Sequence, residues 1–243
     1  MAKFVVIGGT GLIGSKVVAG LSAAGHEARA GAPSTGVNAV TGDGLAGALA
    51  GAECVVDVAN SPSFEAAAVL EFFTAATSNL LAAAQAAGVA RYVALSVVGT
   101  DRLAESGYFR GKIAQEELIE GGGVPFTIVR ATQFFEFVPG IAAGSEVDGV
   151  VRLPGARIQP VASDDVAAAV VRAALGAPVG GRTEVAGPDV FALDDLVRRA
   201  LADAGDARPV VADPEATYFG AHLRDDALLP GPGAEIAATR FFV

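Results

Sequence analysis

The sequence predicts an α/β protein built around a doubly wound parallel sheet, and three observations predict this class. Near its start, the apolar run 4–7 gives way to Gly8, Gly11 and Gly14 and then to apolar residues at helical spacing, which indicates strand, tight turn and helix. Strand-like and helix-like segments then alternate along the chain. The run 54–58 is apolar apart from one aspartate, which is typical of a strand covered on both faces.

The composition excludes several classes of function. Hydrophobic residues make up 52% of the 243, enough for a well-buried core, and the net charge of −10 disfavours nucleic acid as a partner. The single Cys54 and the distant pair His26 and His222 predict neither a disulfide framework nor a metal site. Cys54 is expected to be an inert buried thiol.

The longest apolar segment, 64–87, contains Glu65, Glu71, Asn79 and Gln85, so it predicts a buried helix and not a membrane span. Because the chain opens directly on a strand, no signal peptide is expected, and we predict a cytoplasmic protein. The segment is apolar around most of its circumference, which calls for cover by a second lobe or a second subunit, so a homodimer is expected as one possibility.

The expected architecture is a Rossmann-type core, residues 1–135 and 157–176, and a smaller substrate-covering α/β lobe, residues 136–156 and 177–243. Strands are predicted at 4–7, 27–30, 37–40, 54–58, 91–96, 125–129, 157–161 and 183–186. Helices are predicted after the glycine turn and at 45–50, 64–87, 105–120, 164–175 and 193–204. The last forty residues contain four prolines and are expected to form a loop-rich lid.

The glycine turn predicts a dinucleotide site. A turn of this kind presents backbone N–H groups at a helix N-terminus, where a pyrophosphate can lie close to the chain. The alternative is a purely structural strand–helix turn. The candidate cofactor-binding residues are Gly8, Thr10, Gly11, Leu12, Ile13, Gly14, Ser34, Asp43, Asn60 and Lys112.

The end of the second strand leaves the choice of cofactor open. An acidic residue there would hold a ribose hydroxyl and an arginine would hold a 2′-phosphate, but the stretch 30–36 contains neither. The hydroxyl and amide donors of Ser34 and its neighbours favour NADP, with NAD as the alternative. Asp43 is expected either near the adenine or as a turn aspartate, and Asn60 follows a strand at the edge where cofactor crevices open.

A candidate catalytic pair lies in the helix after the 91–96 strand. Tyr108 and Lys112 are four residues apart and therefore share a helix face, so the ammonium is expected to stabilise the phenolate. Such a tyrosine can donate a proton to a carbonyl oxygen, and Ser96 could hydrogen-bond the same oxygen. The alternative reading pairs Lys112 with Glu116 on a solvated face and makes Tyr108 and Ser96 structural.

Several aromatic residues are candidates for a substrate pocket or, alternatively, for plain core. They leave a strand at its carboxyl end or belong to the C-terminal lobe: Phe134, Phe135, Phe137, Tyr218 and Phe219.

These features together resemble the NmrA-like branch of the atypical short-chain dehydrogenase/reductase superfamily. The matching stretches are 6–14, 79–96, the Tyr108/Lys112 pair, 125–137, 158–169 and 184–188. The resemblance implies a Rossmann core with a small substrate lobe, Gly8, Gly11 and Gly14 at the pyrophosphate and Lys112 at the nicotinamide ribose. In this branch an arginine commonly follows the second strand. This chain has no arginine at that position, which lies near Pro33.

The leading functional hypothesis is an NAD(P)H-dependent reductase of a small apolar carbonyl compound or quinone. A second hypothesis is a sensor that binds NADP without turnover and signals to a protein partner, since the branch includes regulators that lack the tyrosine. A third is a nucleotide-sugar epimerase or dehydratase, which ranks last because the C-terminal lobe is short and poor in basic residues.

Overall fold

A computed structural model describes residues 1–242. Its strands are β1 Lys3–Ile7, β2 Glu27–Gly31, β3 Cys54–Asp57, β4 Arg91–Val97, β5 Phe126–Ala131, β6 Glu146–Val147, β7 Val150–Leu153, β8 Arg157–Ile158, β9 Gly181–Ala186, β10 Phe191–Ala192, β11 Val210–Ala212 and β12 Glu235–Ile236. Its α-helices are α1 Leu12–Ala23, α2 Leu45–Leu49, α3 Ala66–Ala86, α4 Gly107–Gly121, α5 Val138–Gly144, α6 Ser163–Leu175 and α7 Leu193–Asp203.

The central sheet confirms the predicted class. Seven parallel strands lie in the order β12-β9-β5-β4-β3-β1-β2. The chain leaves β1 for β2 on one side and then crosses to β3 on the other, with Val6 paired to both Ala30 and Val56. In a sheet of this kind a ligand crevice opens at the carboxyl edge where the strand order reverses. That point lies beside the glycine turn.

Helices cover both faces of the sheet and close two apolar cores. The helices α1 and α6 pack together over Val6, Val56 and Val93, whereas α2, α3 and α4 cover Val5 and Tyr92 on the other face. Because strand side chains alternate between faces, the apolar residues 54–56 of β3 supply both cores.

The strand predicted at 37–40 is wrong. The side-chain oxygen of Asn38 accepts hydrogen bonds from the backbone N–H groups of Val40 and Thr41, at 3.0 and 3.3 Å, and so closes a turn. The amide of Asn79 in α3 then donates to the carbonyls of Ala39 and Val40. These bonds occupy the backbone groups that a ladder would need, and β2 is therefore the edge strand.

The C-terminal part differs from the predicted division in two ways. The segment 183–186 lies in β9, which together with β12 extends the central sheet beyond the core ranges assigned from the sequence. The predicted strand 157–161 is reduced to β8 plus a single bridge from Val161 to Phe134, because Pro160 has no N–H to donate. The last forty residues contain β11 and β12 and so are not merely a loop-rich lid.

The smaller lobe has its own core. A three-stranded sheet, in the order β11-β7-β6, packs with α5 and α7 over Val151, Leu153 and Leu196. The same cluster contains Tyr218 from the C-terminal lobe and Phe109 from α4, so it joins the lobe to the end of the central sheet where the site lies.

The helix α3 is the one helix within residues 1–242 that is long and apolar enough to cross a membrane by length and composition alone. Here its residues Val69, Phe73 and Leu80 are buried. The neighbouring helix α4 covers much of its second face, and Phe219 from the C-terminal lobe stacks on Phe64 just before the helix begins. Phe64 and Leu70 nevertheless stay exposed, at 63% and 41%, and the homodimer stays a prediction.

Candidate functional site

The glycine turn is a place where three backbone segments meet without side chains between them. Gly8 has φ +79°, and a Cβ there would lie 2.8 Å from the backbone nitrogen of Ala59, just after β3. A Cβ on Gly14 would lie 2.1 Å from the Gly8 carbonyl oxygen, and one on Gly9 would lie 2.7 Å from Ala30 of β2. Gly8, Gly9 and Gly14 are therefore required by the fold itself.

Gly11 differs from these glycines because a Cβ there would be much less crowded by the rest of the protein. A Cβ there would meet only the Gly8 carbonyl oxygen, at 3.3 Å, and its φ of −81° suits any residue. The backbone N–H groups of Leu12, Ile13 and Gly14 have no hydrogen-bond acceptor in the described part of the chain, and the first turn of α1 contains no acidic residue. These donors and the open approach over Gly11 fit a diphosphate.

The phenol of Tyr108 lies at the carboxyl edge of the sheet. Its hydroxyl donates to the side-chain oxygen of Asn60 at 3.2 Å, so two residues that the sequence singled out are in contact. Tyr108 is half-buried under aromatic rings: its centroid lies 5.9 Å from that of Phe64, which stacks on Phe219 at 5.7 Å. The result is a polar pair under an apolar cover.

The ammonium of Lys112 lies one helical turn deeper and does not contact the phenol. It donates to the carbonyl of Leu95 at 2.9 Å and to the side-chain oxygen of Gln115, and it lies 4.5 Å from the ring centroid of Phe73. Lys112 is only 3% exposed, so the solvated alternative is wrong. Its position at a nicotinamide ribose stays a prediction.

Burial decides the pKa of both members of the predicted pair. Desolvation raises the pKa of Tyr108 to about 12, and the expected lowering of this pKa by the lysine is therefore wrong. Desolvation also lowers the pKa of Lys112 to about 8, although the carboxylates of Asp57 and Glu116 oppose that fall. The phenol consequently keeps its proton throughout the neutral range.

Ser96 does not lie in an open site with Tyr108. Its hydroxyl donates to Glu116 at 2.5 Å, and Glu116 also accepts from Arg130 at 2.7 and 3.0 Å and from Arg182 at 2.9 Å. Burial alone would raise the pKa of Glu116, but the hydrogen bonds from Arg130, Ser96 and Arg182 lower it. This buried network joins β4, α4, β5 and β9 and uses the hydroxyl of Ser96, whose catalytic role stays a prediction.

The predicted aromatic pocket falls into three separate groups. Phe134 and Phe137 stack on each other at 5.0 Å, whereas Phe135 packs edge-on against Phe241. Of the candidates, Tyr218 and the neighbouring Phe219 lie near Tyr108. Burial raises the pKa of Tyr218, and the nearby charge of ionised Tyr108 raises it further. The Phe134, Phe135 and Phe137 side chains are not part of that group.

The remaining cofactor candidates lie on the surface near the end of β2. Ser34 is exposed in a short 3₁₀ turn, Pro33–Thr35, and its hydroxyl and N–H have no partner among residues 1–242. The hydroxyl of Thr35 is occupied because it accepts from the N–H of Ala32. Asp43 is exposed and accepts a hydrogen bond from Thr41, as a turn aspartate does.

Two buried polar groups near the site were missed by the sequence analysis. Asp57 accepts hydrogen bonds from Tyr92 and Gln115 at 2.9 Å each, and desolvation raises its pKa. Gln133 follows β5 by two residues and is 7% exposed. The sequence could have indicated Asp57, because it is an aspartate inside an otherwise apolar strand. Nothing in the local sequence indicates Gln133.

Comparison with known proteins agrees with this geometry. The model of the NAD(P)H-binding family matches residues 8–176, from the glycine turn to the end of α6. The chain is 33% identical over 205 residues to the (4-alkanoyl-5-oxo-2,5-dihydrofuran-3-yl)methyl phosphate reductase of Streptomyces griseus, covering 76% of this chain and 68% of that protein.

Solved structures with low sequence identity share the fold. An NADPH-dependent quinone oxidoreductase from Escherichia coli, complexed with NADPH, has a TM-score of 0.66 and 22% identity and covers 86% of this chain and 77% of its own. A short-chain dehydrogenase/reductase superfamily protein from Agrobacterium tumefaciens with bound NAD has a TM-score of 0.70 and 19% identity, covering 93% and 94%.

The fold and the glycine turn define a Rossmann-type protein that binds a nicotinamide dinucleotide. This chain belongs to the NAD(P)H-binding family, and it is an NAD(P)-dependent oxidoreductase.

Replacing single glycines of the turn separates folding from nucleotide binding. Gly14→Ala forces a methyl group against the Gly8 carbonyl and is expected to lower the free energy of unfolding by about 1–3 kcal/mol, measured by urea denaturation. Gly11→Ala meets the same carbonyl at 3.3 Å instead of 2.1 Å and is expected to lose much less stability than Gly14→Ala but to weaken NADPH binding about tenfold, measured by calorimetry. Unchanged affinity in a folded Gly11→Ala variant would contradict a diphosphate at this turn.

The buried lysine predicts a pH dependence of stability. The pKa of Lys112 is about 8 in the folded chain and 10.5 when solvated, so between these values the folded protein has released a proton that the unfolded chain retains. Wild-type stability is therefore expected to rise relative to Lys112→Met as the pH increases from 8 to 10, measured by urea denaturation at each pH. Parallel curves for the two proteins would show that the ammonium is not desolvated.

Proposed function

We propose that this oxidoreductase uses NADPH to reduce a small apolar carbonyl compound or quinone, with Tyr108 as the proton donor. The observation that carries the proposal is the Tyr108 phenol, hydrogen-bonded to Asn60 at the carboxyl edge of the sheet and covered by Phe64 and Phe219. The names of the Streptomyces griseus reductase and the Escherichia coli quinone oxidoreductase support reduction of a conjugated carbonyl compound.

In this reaction the chain has to position the substrate and to supply one proton. When bound, the nicotinamide supplies the hydride. The single hydroxyl proton of Tyr108 points to the side-chain oxygen of Asn60 in the free protein. On binding, the hydroxyl turns to the substrate oxygen that gains negative charge and donates this proton to it, and the phenolate left behind regains a proton from solvent. The rings of Phe64 and Phe219 provide apolar contact to the substrate.

The groups around Tyr108 support an uncharged substrate. Tyr218 and Phe219 from the C-terminal lobe lie near the phenol, and neither carries a charge at neutral pH. Arg102 and Arg110, which lie near the start of α4, are bonded to backbone carbonyls of their own surroundings. A substrate carrying a phosphate would need a free cation here.

The preference for NADP rests on the end of β2. The residues Ala30, Gly31 and Ala32 carry no carboxylate that would bind a ribose 2′-hydroxyl or repel a 2′-phosphate. The exposed hydroxyl and N–H of Ser34 follow directly and are available as donors.

A calorimetric titration tests this preference. NADPH is expected to bind at least about tenfold more tightly than NADH, and Ser34→Asp is expected to remove the difference because its carboxylate repels the 2′-phosphate. Ser22→Asp adds the same charge to an exposed position near the other end of α1 and is expected to change neither affinity. Equal affinity of the wild-type protein for NADPH and NADH would contradict the proposed preference for NADP.

Removal of the phenol hydroxyl tests the proton donor. With NADPH and a panel of ketones, aldehydes and quinones, Tyr108→Phe is expected to lower kcat at least about tenfold while leaving NADPH affinity unchanged. Tyr92→Phe removes a buried hydroxyl that donates to Asp57 and serves as the matched control. It is expected to lower Tm without lowering kcat at 20 °C, a temperature at which the variant remains folded.

The competing hypothesis, an NADP sensor, has a distinct outcome. Tight NADPH binding with no oxidation by any member of the panel, unaltered by Tyr108→Phe, would refute the reductase and support a sensor that passes the redox state to a protein partner.

A further inference from the structure

Gln133 has a buried side chain whose donor and acceptor are both unused. Its Nε2 and Oε1 atoms have no hydrogen-bond partner within residues 1–242, and it is the one buried side chain there with two such atoms. Gln115 and Gln159 are also buried, but Gln115 donates to Asp57 and Gln159 donates to the carbonyl of Gly187 at 2.7 Å. Because a buried polar group without a partner is costly, the exception requires an explanation.

The surroundings of Gln133 place this amide in the candidate site. The residue lies two positions beyond β5 at the carboxyl edge of the sheet, and its own carbonyl accepts from the N–H of Val161 at 2.9 Å, which fixes the backbone. The amide lies close enough to the hydroxyl of Tyr218 to lower its pKa, partly offsetting the larger effects of burial and of Tyr108, but the two groups do not meet at hydrogen-bond geometry. Gln133, Tyr218 and Tyr108 thus surround one region.

A primary amide fits a specific kind of ligand group. Its Nε2 donates two hydrogens and its Oε1 accepts, so it recognises a carbonyl oxygen, and an adjacent N–H or O–H where the ligand has one. A site built to hydrogen-bond such a group rejects a ligand that lacks it, because the protein amide is then left unpaired. An unpaired buried amide in the free protein is therefore a specificity device.

We propose that Gln133 hydrogen-bonds a carbonyl-bearing group of the bound ligands at this edge of the sheet. The inference rests on the proposed function, which brings two such groups to the region: the carboxamide of the nicotinamide ring and the carbonyl of the substrate. Both share the same chemistry, and binding and kinetic measurements distinguish them.

The decisive variant is Gln133→Leu, which keeps the approximate volume and removes both polar atoms. If the partner is the carboxamide, its dissociation constant for NADPH rises about tenfold. The wild-type preference for NADPH over an analogue with an acetyl group in place of the carboxamide is then lost. If the partner is the substrate, KM for the best carbonyl substrate rises about tenfold and the NADPH dissociation constant is unchanged. Gln133→Glu has no N–H donor and is expected to weaken the same binding step as Gln133→Leu.

Stability separates binding from a structural role. Gln133→Leu removes an unpaired buried amide and is expected to keep or raise Tm, whereas the control Gln159→Leu leaves the Gly187 carbonyl unpaired and is expected to lower it. The inference is overturned if Gln133→Leu loses stability while both binding constants stay within about twofold of wild type. If the wild-type protein binds NADPH but reduces no carbonyl, the proposed function fails, and the carboxamide measurement alone decides the role of Gln133.

Discussion

Backbone-to-backbone packing at the glycine turn is the constraint on which the rest of the structure depends. The space that a side chain would take at Gly8 is filled by the backbone of Ala59, and the space at Gly14 is filled by the Gly8 carbonyl. The start of α1 is thereby held against the carboxyl ends of β1 and β3, where the strand order reverses. An opening for a nucleotide follows from this packing, since Gly11 is the least crowded glycine of the turn.

The features that local sequence could predict are those with a local cause. A β-branched run followed by spaced glycines permits little besides strand, turn and helix, and the continuous apolar run of β3 could only be buried on both faces. The segment 37–40 has similar apolar content but forms a turn. Its conformation is decided by the Asn38 side chain and by Asn79, about forty residues away, and such a contact cannot be read from spacing.

The same distinction between local and long-range causes explains which features of the site the sequence could predict. Four-residue spacing correctly placed Tyr108 and Lys112 on one face of α4, but spacing along a helix carries no information about depth. Depth is set by partners from other strands: the Leu95 carbonyl on β4 and the charge of Asp57 on β3 draw the ammonium inward. In the same way, Arg130 and Arg182 hold Glu116, which takes the hydroxyl of Ser96. The buried amide of Gln133 has no such partner, so nothing in the sequence marked it.

The distance between the Lys112 ammonium and the Tyr108 phenol affects which substrate the phenol can protonate. The ammonium is occupied by Leu95 and Gln115, and burial raises the pKa of Tyr108 to about 12, so the phenol keeps its proton throughout the neutral range. A phenol this weakly acidic transfers its proton readily only to a stronger base. The alkoxide left by reduction of a ketone or aldehyde is such a base, whereas the anion of a reduced quinone is itself a phenolate of lower basicity. Within the proposed function, the electrostatics of Tyr108 therefore favour a carbonyl compound over a quinone.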